Sequence, residues 1–382
     1  MLDTISIELN TYKHLKKDDF ERISAIKQVE QHKSNSLPKS QTVISVEWPK
    51  EIEAIGSYLP QVEYMDYPNP IGGGGHGRCY RYRITFSVPK LIYGNNISEV
   101  TETQFNDVVR LLHSKLVFLA LPTDITEKDI KEAIVRRIDY GKNIVLSQSS
   151  SIRLIGDTLM KAEHRHRSKY SQVQYRNGDL YREHIKNRAT ILYDKIAEYC
   201  NTKTKPITDL DKKIFELNKN KRSQIVRLEV QIKTTQQLKL ELERLGLNKE
   251  ATRFEDVFSD DIAQRILKKY WNNIVKGITP NTQTLSPQHL AESFTDIASH
   301  NNHCGPQKAF AKLGFNMLST ECGLGKVKEL YCDYFSPASW SRDKLKLIND
   351  YSGHSTHEDI QEITQTIESM KPIRVEEVVY GK

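Results

Sequence analysis

Residues 225–233 alternate strictly between apolar and polar side chains. A period of two is typical of a β-strand that buries one face and leaves the other to solvent or to chemistry. The apolar set is Val226, Leu228, Val230 and Ile232, and the polar set is Arg227, Glu229, Gln231 and Lys233. The segment therefore predicts a strand with one core face and one solvated or reactive face.

The rest of the first 250 residues shows the strand period and the helix period in turn. Strand-like segments cover residues 1–9, 42–46, 79–88, 135–140, 144–146 and 188–193. Gly141-Lys142-Asn143 predicts a turn between the segments 135–140 and 144–146. Helical spacing of apolar residues covers 103–121 and 237–245, and Gly246 predicts the end of the second helix.

Helical periodicity dominates after residue 250, where the segments are 254–274, 306–315, 325–331 and 340–349. A length of 382 residues suits two or three domains. The pattern predicts an α+β fold, with an antiparallel sheet and helices on one of its faces in residues 1–248. A smaller α-helical domain is expected over residues 252–382, outside the catalytic unit.

The charge balance favours a polyanionic partner, because 56 Lys and Arg against 49 Asp and Glu give a net charge of +7. A basic surface that meets only solvent would explain this charge equally well. The five cysteines form no Cys-x-x-Cys pair, which is typical of a reducing compartment. The longest apolar run, 116–121, is far shorter than the ~20 residues that span a bilayer, and no signal-peptide pattern is present.

Two segments combine cations with aromatic rings. The mixture is densest in residues 161–188, which suits single-stranded DNA, although a solvated loop has the same composition. In residues 79–88, Arg81 and Arg83 share one face and could follow a DNA backbone, or could simply protect a solvated sheet edge. The candidates for DNA contact from these segments are Arg81, Arg83, Arg165, Arg167, Lys169 and Arg188.

Other motifs point less clearly to a site. The glycine-rich residues 71–77 lack the Gly-Lys-Ser/Thr and the following helix of a phosphate loop. His164-Arg165-His166 has a charged residue at its centre, and the cysteines match no standard zinc spacing. We expect neither a nucleotide loop nor a zinc centre here.

Three predicted strands carry reactive residues between apolar ones. Arg137 and Asp139 share a face of the first, Tyr193 precedes Lys195 at the end of the second, and Arg227 and Glu229 share a face of the third. A sheet built from these strands would place an acidic metal site beside a tyrosine. Asp194 and Lys195 follow where this strand would give way to a short helix. On a continued strand, Lys195 would share the face of Tyr193.

These residues, in this order, resemble the replication initiators of filamentous phages and related plasmids, the gene II and gene X family. The matching motifs are Arg137-Ile138-Asp139, Tyr193-x-Lys195 and Arg227-x-Glu229, and residues 89–96 resemble the region upstream. The resemblance covers residues 1 to about 250. It implies a rolling-circle initiator in the cytoplasm of a bacterial host, with origin DNA, a host helicase and a host polymerase as partners, and with self-association as an option.

The resemblance also implies a chemistry. Tyr193 would be the nucleophile and would form a covalent phosphotyrosine, which preserves the phosphodiester energy for rejoining. Lys195 would stabilise the developing charge. Asp139 and Glu229 would be hard oxygen ligands for Mg²⁺ or Mn²⁺. Arg137 and Arg227 would hold the DNA phosphate.

Each assignment has a structural alternative. Tyr193 could be a core tyrosine, and Asp139 and Glu229 could form salt bridges with the neighbouring arginines. At the level of the whole protein, the alternatives are a non-catalytic DNA-binding regulator and an interaction scaffold. A covalent protein–DNA adduct separates the enzyme from both.

Overall fold

The computed structural model describes residues 1–11, 29–32, 42–46, 58–68, 78–118, 125–146, 155, 159, 179–203, 206, 208–220, 224–276, 310–311, 313–315, 318, 327 and 358–380. The predicted helices at 325–331 and 340–349 lie outside these ranges, apart from one residue. So do Arg165, Arg167, Lys169 and the glycine-rich residues 71–77.

One antiparallel sheet organises the described residues. Its nine strands are β1 Leu2–Thr11, β2 Val29–His32, β3 Thr42–Val46, β4 Gln61–Pro68, β5 Arg78–Ser87, β6 Ile134–Leu146, β7 Asp179–Ile185, β8 Arg188–Asp194 and β9 Gln224–Ile232. Their spatial order is β2-β3-β4-β5-β1-β6-β9-β8-β7. β6 and β9 therefore lie near the centre, with β1 and β8 as their outer neighbours.

Helices occupy the connections between strands and the region after β9. They are α1 Val88–Tyr93, α2 Phe105–Phe118, α3 Glu127–Lys131, α4 Lys195–Lys203, α5 Asp209–Asn220, α6 Thr235–Arg244, α7 Phe254–Val257, α8 Asp260–Val275, α9 Glu358–Ser369 and α10 Val375–Tyr380. The predicted α+β class is confirmed. No helix in the described ranges is both long enough and apolar enough to cross a bilayer.

The two faces of the sheet differ in chemistry, as the alternation predicted. The core face, represented by Ile5, Ile138 and Leu228, is fully buried under helices. The polar face carries the residues that alternate with these, such as Asp139 and Glu229. Directly paired residues on adjacent strands point to the same face, so the register makes this polar face continuous from β8 to β5.

Helices lie on both faces, which corrects the expectation that they cover only one. α2, α6, α8 and α9 contribute to the large core on the core face. α4 and α5 instead pack over one end of the polar face, where Ile196, Tyr199 and Ile214 surround Ile225. An apolar residue at position 225 explains this, since it interrupts the polar face and must be covered.

The region after residue 250 shares the core of the sheet. Phe254, Ile266, Trp271 and Ile363 are buried in the same cluster as the strands. The predicted boundary at 248–252 therefore does not divide the hydrophobic core of the described residues. Because this core is shared, we expect helices α7, α8 and α9 to belong to the folded unit that carries the site.

A buried ion pair also ties the C-terminal segment to β6. Lys142 Nζ lies 2.7 Å from Glu99 Oε2 and donates to the carbonyl of Lys371 at 2.7 Å. The same Glu99 carboxylate accepts from the backbone N–H groups of Asn143 and Ile373. A buried charge is stable only with such partners, so the chain near 371–373 completes the environment of Lys142.

Candidate active site

The central strands bring the predicted site residues together on the polar face. In the β6–β9 register, Asp139 pairs with Gln231 and Gly141 with Glu229. In the β8–β9 register, Tyr193 pairs with Arg227. Asp139, Glu229 and Tyr193 are thus neighbours across three adjacent strands.

The phenol of Tyr193 contacts a carboxylate directly. Its hydroxyl donates to Glu229 Oε2 at 3.1 Å, and Gln231 Nε2 donates to Glu229 Oε1 at 2.7 Å. Burial raises the pKa of Tyr193 well above that of a free phenol, and the negative charge of Glu229 raises it further, against an opposing effect of Arg227. The phenol is therefore protonated at neutral pH and has a proton acceptor in place.

Arg227 lies beneath this pair and is almost fully buried. Its guanidinium is 2.9 Å from Asp3 Oδ1 and 3.6 Å from Glu229 Oε2, and it donates to the carbonyl of Asn96 at 3.1 Å. Burial lowers the pKa of Arg227, but the negative charges of Asp3 and Glu229 outweigh this effect, so the pKa is raised overall. This placement does not suit the predicted contact with a DNA phosphate, since the side chain is enclosed by protein.

Gly141 makes room for Arg227. A Cβ at this position would lie 2.6 Å from Arg227 Nη2, which is closer than atoms can pack. The glycine predicted to form a turn is instead inside the continuous strand β6. The sequence signal was genuine, but the reason for glycine is a close approach by a side chain rather than a turn.

Asp3 is a site residue that the alternation did not reveal. The β1–β6 register shifts between Leu2 and Thr4, and this irregularity directs Asp3 toward Arg227. Residues on a regular strand alternate between faces, but a bulge redirects one of them. No pattern in residues 1–9 signals such a shift.

Asp139 is buried and held by Arg137. Arg137 donates through Nε to Oδ1 at 3.1 Å and through Nη2 to Oδ2 at 2.6 Å. Burial raises the pKa of Asp139 to about 7, and the charges of Glu229 and Asp3 contribute, while the Arg137 hydrogen bonds act in the opposite direction. The salt bridges weighed as alternatives for Asp139 and Glu229 are thus both present, at 2.6 Å and 3.6 Å.

We expect Asp139→Asn to stabilise the protein at pH 8. The folded pKa of about 7 exceeds the ~3.9 of an unfolded aspartate, so the folded state binds more protons between these values. Wild-type stability should therefore fall as pH rises through that window, by an amount on the order of 4 kcal/mol at most. Urea unfolding of wild type and variant from pH 4 to pH 8 measures the difference.

Asp107→Asn is the control for this experiment, because Asp107 is exposed on α2. Its unfolding free energy should stay within about 0.5 kcal/mol of wild type at every pH. Parallel pH profiles for Asp139→Asn and wild type would show that Asp139 does not titrate as described.

Lys195 is buried near the phenol and begins helix α4, which confirms the predicted change from strand to short helix at this point. Its Nζ lies 5.4 Å from the centre of the Tyr193 ring and 2.7 Å from Glu198 Oε2. Burial lowers the pKa of Lys195, and the nearby Arg227 lowers it further, with Glu198 opposing. Lys195 therefore lies close to Tyr193 from the first position of the predicted helix.

The other predicted contact residues lie in different places. Arg81 and Arg83 are on the polar face, away from Tyr193 and beyond β1. Arg188 is on the core face, where it donates to Tyr270 at 2.6 Å and lies 3.4 Å from Glu241. Its position on the opposite side of the sheet separates it from the site.

Two carboxylates of the site could hold a divalent cation. Asp139 and Glu229 offer hard oxygen atoms, and burial, with a smaller contribution from the charge of Glu229, raises the pKa of Asp139. A bound cation would offset this cost of burying the carboxylate charge. Mg²⁺ commonly uses one or two carboxylates together with substrate phosphates, which this pair can supply. No group of three or more potential metal ligands occurs within the described ranges.

Comparisons of the chain with protein-family models, with curated proteins and with solved structures found no match. Functional assignment therefore rests on the motif residues and on the geometry of the site.

Proposed function

We propose that this protein is a rolling-circle replication initiator that nicks and rejoins DNA through a covalent 5′-phosphotyrosine. The observation that carries the proposal is the hydrogen bond from Tyr193 to Glu229, one strand away from Asp139. The antiparallel sheet with its reactive polar face is compatible with an initiator-like fold. Origin DNA, a host helicase and a host polymerase are the partners that this function requires.

The reaction begins when Tyr193 Oη attacks the phosphorus of the scissile phosphodiester. The phenol proton passes to Glu229 Oε2, 3.1 Å away, as the new P–O bond forms. The P–O3′ bond breaks, and the departing O3′ takes up a proton from water. The reverse attack by the 3′-hydroxyl restores the phosphodiester and frees the tyrosine, so one intermediate serves both nicking and closing.

Buried cations support this step. Lys195 lies over the Tyr193 ring and stabilises negative charge that develops on the phenol oxygen. Arg227 is a positioning residue, since it fixes Glu229 and Asp3 from beneath. Arg137 is about 40% exposed, so it is the arginine of the site best placed to contact a phosphate.

Asp139 and Glu229 would hold Mg²⁺ or Mn²⁺. When bound, such an ion polarises the scissile phosphate and lessens the need for a fully ionised phenol. Their hydrogen-bond partners, Arg137 for Asp139 and Gln231 for Glu229, orient the two carboxylates.

We expect Asp139→Asn and Glu229→Gln to bind single-stranded DNA but to lose nicking by at least about 100-fold. The assay is a denaturing gel with a 3′-labelled oligonucleotide library of randomised sequence and Mn²⁺, since the label then stays on the fragment joined to protein. Asp194→Asn is the matched control, because Asp194 adjoins Tyr193 in sequence but caps α4 through Ala197 N. If either site variant nicks at the wild-type rate, that residue is not a ligand.

A non-catalytic DNA-binding regulator is the second candidate, and the burial of the phenol favours it. Tyr193 is 8% exposed, so a phosphate reaches it only after the surrounding groups move. The paired state of Arg137, Arg227 and Lys195 is also what a structural network would show. Retention of DNA with no covalent adduct on any substrate would favour the regulator.

A further inference from the structure

A second basic cluster lies on the polar face, assembled around Glu8 of β1. Arg81 Nη1 donates to Glu8 Oε1 at 2.9 Å, Arg136 donates to both oxygens at 2.9 and 2.6 Å, and Arg83 Nη2 is 3.6 Å from Oε2. Arg83 Nη1 also contacts Glu63 at 3.5 Å. Three guanidinium groups against two carboxylates leave one net positive charge.

The carboxylate at the centre of the cluster is buried, whereas the three guanidinium groups around it are partly exposed. The Glu8 side chain is 4% exposed, whereas those of Arg81, Arg83 and Arg136 are 39%, 37% and 35% exposed. Although burial alone raises the pKa of Glu8, the hydrogen bonds and charges of the arginines lower it, so the carboxylate stays ionised. The buried anion therefore fixes three half-exposed guanidinium groups, which suit bidentate contacts with phosphate.

A β-bulge connects this cluster to the candidate active site. Consecutive strand residues normally point to opposite faces. The β1–β6 register shifts between Ser6 and Ile7, however, so Arg136 has no opposite residue on β1. Arg136 consequently turns to Glu8 while its neighbour Arg137 bonds Asp139. Two successive arginines thus serve the two clusters from one strand.

The surface between the clusters carries short hydroxyl side chains. Thr4 pairs with Asp139 in the register, and Ser6 accepts a hydrogen bond from Thr85 at 2.9 Å. From Thr4 to Glu8 the strand advances about 13 Å, a distance that a short run of nucleotides spans.

We propose that Arg81, Arg83 and Arg136, organised by Glu8, form a subsite for the phosphate backbone of single-stranded DNA, several nucleotides from the bond at Tyr193. The inference rests on the proposed function for the identity of the ligand. It adds Glu8 and Arg136, neither of which the sequence motifs had singled out. It also assigns the bulge in β6 the role of joining the subsite to the reactive phosphate.

The test is the salt dependence of binding to a fluorescent oligo(dT), which lacks any origin sequence. The variant Arg81→Gln/Arg83→Gln/Arg136→Gln should lower the log–log salt slope by up to about 2, at ~0.7 for each lost phosphate contact on a single strand. The matched control, Arg110→Gln/Arg253→Gln/Arg265→Gln, changes net charge equally at exposed arginines of the helical side. Its slope should stay at the wild-type value.

The single variant Arg83→Gln is the control for unfolding of the triple variant. Arg83 makes the longest contacts of the three arginines, so its loss should disturb the fold least. It should lower the slope by ~0.7 with an unchanged thermal midpoint. Unchanged slopes in both the triple and the single variant, or equal decreases in the triple variant and its control, would overturn the subsite. The salt slopes do not depend on the covalent adduct, which the nicking assay measures separately. Lowered slopes without an adduct would therefore support the subsite and reject the nickase.

Discussion

Tyr193→Phe is expected to bind single-stranded DNA like wild type and to form no covalent adduct. The substitution removes only the hydroxyl that donates to Glu229, so the ring can keep its place beside Ile191 and Ala189. Loss of a catalytic nucleophile lowers turnover on the order of a million-fold in other enzymes. Adduct on the denaturing gel should therefore fall below detection.

Tyr199→Phe is the matched control. Tyr199 is also a buried tyrosine whose hydroxyl donates to a carboxylate, that of Asp211, at 2.6 Å. It lies in the cluster of α4 and α5 rather than between the site carboxylates, so its variant should form the adduct. Peptide mapping of the wild-type adduct should recover the nucleotide on Tyr193. An adduct in Tyr193→Phe, or mapping to Tyr199, Tyr181 or Tyr175, would reject this nucleophile.

A protein that ends at Glu250 is expected to unfold and to lose all nicking. The truncation removes side chains that fill the core face of the sheet. Burial of one large apolar side chain contributes about 1.5–3 kcal/mol, and eight of those lost from this core are at most 1% exposed. Their sum, on the order of 10–20 kcal/mol, reaches the ~5–15 kcal/mol net stability of a folded domain. The eight are Phe254, Val257, Ile266, Leu267, Trp271, Ile274, Ile363 and Ile367.

Circular dichroism and urea unfolding of the truncated and full chains measure this effect. A paired substitution within α8 serves as the internal check. Trp271→Ala should cost about 3–5 kcal/mol, whereas Lys268→Ala, at an exposed ion pair with Glu368, should change stability by less than about 0.5 kcal/mol. Cooperative unfolding of the truncated chain at the wild-type midpoint, with retained nicking, would restore the original view of an independent tail.

The sequence alone determined the strands β1, β3, β5, β8 and β9 and which faces their residues share, whereas it did not predict β2, β4 and β7. Alternation in residues 225–233 separated Leu228 from Glu229, and that separation is the core face and polar face of β9. The strand at 42–46 and the helix that ends before Gly246 were also predicted correctly. Such patterns are local because burial of one face requires a fixed period along the chain.

Only the tertiary structure decided how the strands pair and what lies beneath them. The contact of Tyr193 with Glu229 depends on a register between β8 and β9 that no local pattern encodes. The register between β6 and β9 encloses Arg227 under Gly141, so the predicted DNA contact is an interior charge and the predicted turn is part of a strand. Periodicity predicts the face of the sheet on which a side chain lies, but not whether that side chain is buried or exposed there.

Irregularities and long-range packing were likewise invisible in the sequence. The register shifts in β1 and β6 that direct Asp3 and Arg136 to the polar face arise from pairing between strands more than 120 residues apart. The tail joins the core because the sheet exposes an apolar face that its own helices do not fill, and α8 and α9 cover it. Hydrophobic burial is non-directional, so a helical period predicts that a face will be buried without specifying the surface that buries it.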